Sequence, residues 1–376
     1  MEKKTRELNY DILRIVACIA VILIHISAIY YYSLYDSSYF GQTYDSNHFT
    51  IVFLNVLGNF AVPCFVMLTG AFVLSNDKNQ DRRYLYKKAI KNILVPTIVI
   101  GIIYFIYKEG VTINNIIHHK ENLINITYPL KILIFGEPCY HMWYMSMLIG
   151  LYIIIPDIIK YTRKIEEKKK SKIIFASIIM YLLICGHFAT SKLKYSVAIF
   201  IPYISYLLLG YLIRKGTINK KNNIKAMLFI MVAIAIMFVH SFLVNEFHLW
   251  NQENELVLGL FGKGAFNPLI ILSSCSLFIG FSYMKIDSKF SFKRLPQETL
   301  YIYLFHVLVI ETISKPIIFK VGMKLTPLVA IPLYVMLTFI ISWIITKIYM
   351  WLFSKINKDY KLENKIYKIL NLENNN

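Results

Sequence analysis

Apolar residues along this chain collect into ten long segments, separated by stretches that carry most of the charged side chains. A bilayer core takes about 20 apolar residues per helix, and the segments are of that order of length. The pattern predicts ten membrane-spanning helices, at residues 10–31, 49–75, 92–107, 142–159, 173–188, 197–213, 226–244, 265–284, 299–314 and 326–353.

Lysines and arginines fall into clusters that recur after every second apolar segment. Cytoplasmic loops of membrane proteins carry an excess of these residues, so the clusters mark the inner side. Ten spans place every cluster on that side, whereas an odd number would place clusters on both. We therefore predict that both termini are cytoplasmic. The clusters lie at residues 3–6, 78–91, 160–172, 214–225, 285–294 and 347–368.

The composition agrees with a membrane location. Apolar residues make up 57% of the chain and charged residues 17%, whereas a soluble domain is nearer one quarter charged. The first apolar stretch, 12–32, exceeds the roughly 7–15 residues of a signal-peptide core, so we interpret it as a retained span. The net charge of +19 is explained by the inner clusters, and we expect no nucleic-acid partner.

The predicted fold class is all-α, a polytopic membrane helix bundle. We expect residues 1–353 to form one transmembrane domain and residues 354–376 a basic amphipathic tail along the inner membrane surface. The five cysteines lie far apart, mostly inside apolar segments. Their spacing predicts neither a disulfide framework nor a metal site.

Three ionisable residues, Asp11, Arg14 and His25, lie in the first predicted span. At about 100° per residue, Arg14 and His25 return to within about 20° of each other, some 16 Å apart along the axis, and Asp11 lies within about 60° of Arg14. Ionisable groups inside a membrane normally face a cavity or a partner. His25 is thus a candidate general base. Arg14 and Asp11 have two possible explanations. Either both are functional, or Arg14 reaches the inner membrane interface and Asp11 is a helix-end residue that pairs with it.

The arginine, ten intervening residues and histidine of segment 14–25 resemble the first span of the integral-membrane acyltransferase 3 family. Segment 58–70, Gly-Asn-Phe-Ala-Val-Pro-Cys-Phe-Val-Met-Leu-Thr-Gly, is similar to the family's V-P-x-F-F-x-x-S-G motif, with threonine where serine is common. Segment 82–96 resembles its basic loop that runs to a proline. Segments 141–145 and 301–306 resemble its H-x-W-F and Y-L-x-H motifs. The set follows the family order over nearly the whole chain.

This resemblance implies an O-acyltransferase of bacterial surface glycans that takes its acyl group from acyl-CoA. Such a donor is cytoplasmic and carries phosphates, which a guanidinium binds through two parallel hydrogen bonds. The implied phosphate contacts are Arg82, Arg83 and Lys88, and Arg14 would guide the pantetheine arm toward His25. Plain inside-positive topology is the alternative explanation of the basic loop.

Four further residues are candidates for binding the acceptor substrate. His306 lies midway through the ninth segment and either pairs with His25 or hydrogen-bonds within the bundle. His141 and Trp143 lie at the outer mouth of the fourth segment, and Glu137 lies just upstream. An interfacial tryptophan is common in any membrane protein, so Trp143 has a structural explanation as well.

We therefore expect an enzyme of the cytoplasmic membrane that moves an acyl group, by default acetyl, to a hydroxyl of a surface glycan or its lipid-linked precursor. His25 would act as general base or carry the acyl group covalently. The expected partners are acetyl-CoA or another acyl-CoA, the glycan and membrane lipids, with no permanently bound cofactor. Two other classes stay open: a transporter or flippase with a proton relay through Asp11, Arg14 and His25, and a sensor or assembly subunit.

Overall fold

The computed structural model describes residues 7–34, 46–109, 139–189, 200–247, 264–286, 294–321 and 325–360. These residues form helices and connecting turns, and no strand occurs among them. The helices are α1 (Leu8–Leu34), α2 (Ser46–Gly58), α3 (Ala61–Thr69), α4 (Arg82–Ala89), α5 (Val95–Glu109), α6 (Trp143–Glu166), α7 (Ser171–Ala189), α8 (Phe200–Thr217), α9 (Asn223–Glu246), α10 (Pro268–Tyr283), α11 (Leu295–Val309), α12 (Lys315–Val321) and α13 (Pro327–Tyr360).

The all-helical class is confirmed for this part of the chain, and each of the ten predicted apolar segments overlaps a helix. Two shorter apolar helices occur at Ser171–His187 and Pro268–Tyr283. The count of ten spans and the cytoplasmic termini stay predictions. Among the described residues, six helical stretches are long and apolar enough to cross a bilayer: Leu8–Leu34, Ser46–Leu74, Trp143–Glu166, Asn223–Glu246, Leu295–Lys320 and Pro327–Lys355.

Helix α1 lies at the centre of the bundle. It packs against α2, α3, α10, α11 and α13, and its buried side chains point to more than one neighbour. Helices α9 and α13 instead expose large apolar side chains, such as Ile224, Phe238 and Trp351. Exposed apolar surface of this extent would be unfavourable in water and is covered by lipid in a membrane. The ionisable residues of α1 therefore lie inside the protein rather than against lipid.

The segment 61–74 crosses α8 at very short range because each contributes a glycine at the contact. Gly70 faces the backbone of α8, and Gly210 faces the backbone of segment 61–74. A Cβ atom at Gly70 would lie 1.8 Å from the carbonyl oxygen of Leu207, and one at Gly210 would lie 2.0 Å from that of Met67. Small residues permit such close helix contacts in membranes. The crossing holds the segment in place where it passes beside α1.

Three π-helical turns interrupt the regular helices: Gly70–Leu74 after α3, Ile90–Leu94 after α4, and Ile310–Ser314 after α11. A π turn often occurs at a functional site, because it changes the direction in which neighbouring side chains project. All three lie next to the cavity or the histidines described below.

Candidate active site

Three histidines from different parts of the chain meet inside the bundle. His25 belongs to α1, His306 belongs to α11, and His141 lies two residues before α6. The ring centre of His306 lies 5.2 Å from that of His25 and 5.2 Å from that of His141. His141 and His306 are buried and His25 is half-buried. We call these three residues the histidine cluster.

His306 presents a bare nitrogen inside this cluster. Its Nδ1 is in hydrogen-bond contact with the carbonyl oxygen of Tyr303. A carbonyl only accepts, so Nδ1 must carry the proton and Nε2 is left as an acceptor. Nε2 is buried and has no hydrogen-bond partner among the described residues. Buried polar atoms are nearly always hydrogen-bonded, so Nε2 can still accept one hydrogen bond from a donor.

Tyr104 of α5 inserts its hydroxyl into the backbone hydrogen bonds of α11. The hydroxyl donates to the carbonyl oxygen of Leu304 at 2.9 Å and accepts from the N–H of Leu308 at 2.8 Å. An uninterrupted α-helix would join that N–H to that carbonyl directly. His141 Nε2 lies 3.3 Å from the same Leu304 oxygen. Because His306 lies within this turn, Tyr104 and His141 together fix its position.

Asn55 of α2 holds the turn of α1 that carries His25. Its Nδ2 donates to the carbonyl oxygen of Ile24 at 3.0 Å and to the hydroxyl of Ser27 at 2.9 Å. The Ser27 hydroxyl in turn donates to the carbonyl oxygen of Leu23 at 2.6 Å. These bonds flank His25 on both sides. They set the rotation of α1 at the point where His25 contacts α11.

A cavity of about 230 Å³ lies beside the histidine cluster. Arg14 and Lys88 are its cationic lining residues. It extends along α11 from Pro296 to Tyr303, which is about 10 Å of helical rise. Tyr303 borders the cavity and also contacts the rings of His141 and His306, at 5.6 and 5.3 Å. The cavity and the histidine cluster therefore share Tyr303 as a common wall. The apolar lining is formed by Phe65, Leu68, Phe72, Val73, Ile93, Leu148, Pro296 and Leu300.

Arg14 faces this cavity from α1 with a carboxylate beside it. The guanidinium lies 3.6 Å from the carboxylate of Asp11, and both side chains are partly exposed. It also lies 6.0 Å from the centre of the Phe72 ring, within cation–π range. Arg14 therefore brings a positive charge, with Asp11 beside it, to the wall of the cavity.

The basic residues of α4 divide into two groups. Lys88 is exposed and lines the cavity, whereas Arg82 and Arg83 are exposed outside the cavity lining. Arg82 makes two hydrogen bonds to Asp157 of α6, at 2.7 and 2.9 Å. These bonds raise the pKa of Arg82.

Comparison with known proteins relates the chain to one family. A family model described as an acyltransferase domain matches residues 7–347, nearly the whole chain. The chain belongs to the acyltransferase 3 family. Neither the curated proteins nor the solved structures contain a match. The protein is thus an acyltransferase, and its apolar helices make it a multi-pass membrane protein.

Within the acyltransferase 3 domain, the site residues predicted from the sequence lie in different places. Arg14 and Lys88 line the cavity, and the histidine cluster lies beyond Tyr303. Trp143 is half-buried and contacts the ring of Tyr203 at 6.0 Å, so it packs toward α8. Glu137 lies outside the described residues.

Sequence reasoning missed four residues of the acyltransferase 3 domain that contact or position the histidine cluster. Tyr303 lies one turn before His306, and Tyr140 is adjacent to His141, so both could have been found by proximity. Asn55 had a signal too, because it is a polar residue within an apolar segment. Tyr104 had none, since it is one of 28 tyrosines in the chain.

Proposed function

We propose that this protein transfers an acyl group, by default acetyl, from cytoplasmic acyl-CoA to a hydroxyl of a cell-surface glycan or of its lipid-linked precursor. One observation carries the proposal: a cavity with Arg14 and Lys88 in its wall shares Tyr303 with the histidine cluster. A phosphate-bearing donor needs cations at one end of its site and a base at the other. The cavity and the cluster supply this arrangement.

The donor would bind with its phosphates at the inner face. Arg82 and Arg83 are exposed and would face the cytoplasm in the predicted topology. A phosphate would compete with Asp157 for the two hydrogen bonds of Arg82. Lys88 and Arg14 would follow along the cavity, with Asp11 orienting Arg14. The pantetheine arm would lie along the apolar lining. About 16 Å of helical rise separates Arg14 from His25, a distance of the same order as an extended pantetheine.

His25 would act as the general base. It removes the proton of the acceptor hydroxyl while that oxygen attacks the thioester carbonyl carbon. The carbon–sulfur bond then breaks, and the proton passes from His25 to the departing CoA sulfur. His141 and His306 would bind the acceptor, with Trp143 and Glu137 as further candidates nearer the outer mouth. The products are an O-acyl ester and free CoA.

The proposal includes ten spans with both termini in the cytoplasm. Every predicted segment overlaps a helix, and the basic clusters alternate with pairs of segments. This topology puts Arg82, Arg83 and Lys88 on the donor side. It puts His141 and the histidine cluster toward the outer side, where a glycan is presented.

Purified protein incubated with acetyl-CoA provides the test. Enzymes of this kind are expected to hydrolyse the thioester slowly when water replaces the acceptor, which releases a free thiol that can be measured. The expected result is thiol release proportional to protein concentration, above that of protein-free micelles. If the protein neither releases thiol from acetyl-CoA nor binds acetyl-CoA, the proposal is contradicted and the transporter class is favoured.

A further inference from the structure

An exposed aromatic ring lies directly beside His25. Tyr140 is 49% exposed, and its ring centre is 5.2 Å from that of His25, in an edge arrangement. The same ring lies 6.0 Å from His141. Tyrosine combines a large apolar face with a polar tip, and an open aromatic face next to polar groups is typical of a ligand site. Tyr140 has no part in the donor cavity.

The ring of His306, with its buried Nε2, is a second neighbour of His25. The two imidazole rings are 5.2 Å apart between centres, and Nε2 of His306 accepts no hydrogen bond from any described residue. Since Nδ1 is committed to the Tyr303 carbonyl, Nε2 can only accept while the ring is neutral. Its partner must therefore be a donor, such as a hydroxyl group.

We infer that Tyr140, His25 and His306 form an acceptor subsite for a pyranose ring that carries two adjacent hydroxyls. This inference rests on the proposed function and names the chemistry of its acceptor. The apolar C–H face of the sugar lies on the Tyr140 ring. One hydroxyl donates to His25 and is acylated, and the neighbouring hydroxyl donates to Nε2 of His306.

The three residues have separate roles in this subsite. Tyr140 and His306 position the sugar, and only His25 exchanges a proton with the reacting oxygen. The reacting hydroxyl loses its proton to His25 as the ester bond forms, and the second hydroxyl keeps its own. Water or a flexible alcohol can meet His25, but neither offers a ring face to Tyr140 together with a second hydroxyl for His306.

The test uses the purified full-length chain with acetyl-CoA and simple probes. The pyranose probes are the methyl glycosides of glucose, mannose and galactose, and glycerol is the acyclic probe with adjacent hydroxyls. Mass spectrometry measures the acetylated product for each probe. We expect at least one pyranoside to be acetylated about tenfold faster than glycerol.

The Tyr140→Ala variant should lower this pyranoside-to-glycerol ratio at least tenfold, while Tyr140→Phe and Tyr140→Trp should keep it. Tyr32→Ala is the matched control, because Tyr32 is a 62% exposed tyrosine on α1 and should leave the ratio unchanged. A wild-type ratio in Tyr140→Ala would overturn the subsite.

Deoxy sugars test the second hydroxyl. A pyranoside that lacks the hydroxyl adjacent to the acetylated one should react about tenfold more slowly with the wild type, since a buried acceptor is then left unpaired. His306→Leu should abolish this difference. If His306→Leu does not fold, the Tyr140 variants still decide the matter.

The two proposals fail in different ways. Consumption of acetyl-CoA without acetylation of any pyranoside would overturn the subsite and leave the proposed function intact. Absence of both binding and consumption of acetyl-CoA would overturn both.

Discussion

Tyr104 changes the hydrogen bonding of α11 at the turn that carries His306. Its hydroxyl takes the place that a direct bond between Leu304 and Leu308 would occupy. A side chain inserted into a helix in this way is a recognised cause of local distortion, and the π turn Ile310–Ser314 follows immediately. The position of His306 thus depends on a residue in another helix.

We expect Tyr104→Phe to lower the transfer rate about tenfold. Without the hydroxyl, α11 can close its regular hydrogen bond between Leu308 and Leu304, which shifts His306. A displacement of about 1 Å near reacting groups costs up to 10²-fold in rate. The KM for acyl-CoA should change less than twofold. Steady-state kinetics measure both. Tyr107→Phe, an exposed tyrosine on the same helix, is the control. Full activity in Tyr104→Phe would show that the inserted hydroxyl is merely structural.

The exposed arginines of α4 provide a second prediction. Replacing Arg82 and Arg83 by glutamine should weaken acyl-CoA binding by about tenfold or more, because two charge-assisted contacts to the phosphates are lost. Calorimetry or equilibrium dialysis measures the affinity. Lys169→Gln with Lys170→Gln makes the same change in charge on another exposed basic loop and should have little effect. If both double variants bind acyl-CoA with equal affinity, the α4 arginines do not bind the donor and only reflect the excess of positive charge on the inner side.

The sequence made His25, Arg14, His141 and His306 candidates, because burying an ionisable residue within or beside an apolar segment costs free energy and therefore points to a function. It did not identify Tyr104, whose role depends on the contact between two helices distant in sequence. Contacts of this kind follow from packing, which no local pattern records.

At the scale of elements, hydrophobic length predicted a helix at each of the ten apolar segments but did not predict α4 or α12. The boundaries differ by a few residues, as for the span predicted at 10–31, which forms the helix Leu8–Leu34. The three π turns were not predicted, because a widened turn depends on side chains from neighbouring helices. The interruption between α2 and α3, at 59–60, was also missed, since the apolar pattern continues through it.

Segment 61–74 and α8 cross in very close contact at Gly70 and Gly210. Gly70→Ala and Gly210→Ala should each lower the melting temperature, because overpacking typically costs about 1–3 kcal/mol and here the opposing atoms are backbone. Gly216→Ala is the control on α8, since a Cβ there meets nothing within 4 Å. Thermal unfolding in detergent measures all three. Equal melting temperatures would mean that the crossing does not limit stability.

At the scale of the whole molecule, the order of five short motifs indicated the family, and the family match over residues 7–347 confirmed it. No single motif is specific, but their order and spacing constrain the entire chain. The six clear spans follow from length and apolar composition. The four other predicted spans rest on the spacing of the basic clusters.

The topology can be tested with reporter fusions. A reporter after Asn376 or within 166–170 should be cytoplasmic, and a reporter near Asn115 or Glu253 should be external, because basic clusters remain inside. Alkaline phosphatase and a fluorescent protein report opposite sides and control for each other. A cytoplasmic signal at Glu253 would break the ten-span arrangement.

The central claim is that His25 is the base of an acyl transfer. It predicts that activity falls as the pH drops through the pKa of His25, because the protonated imidazole cannot accept a proton. It also predicts that a change at His25 abolishes acyl transfer but leaves acyl-CoA binding intact, because the donor phosphates would lie about 16 Å from His25 along α1.

The most direct measurement compares acyl transfer and acyl-CoA binding in His25→Ala and His25→Gln. Removal of a general base typically costs about 10²–10⁴ in rate, so both variants should lose transfer to that extent while binding acyl-CoA with nearly wild-type affinity. Glutamine keeps the size and some hydrogen bonding of histidine but not its basicity. Retained turnover in His25→Gln would contradict the account, because His25 would then be a structural residue.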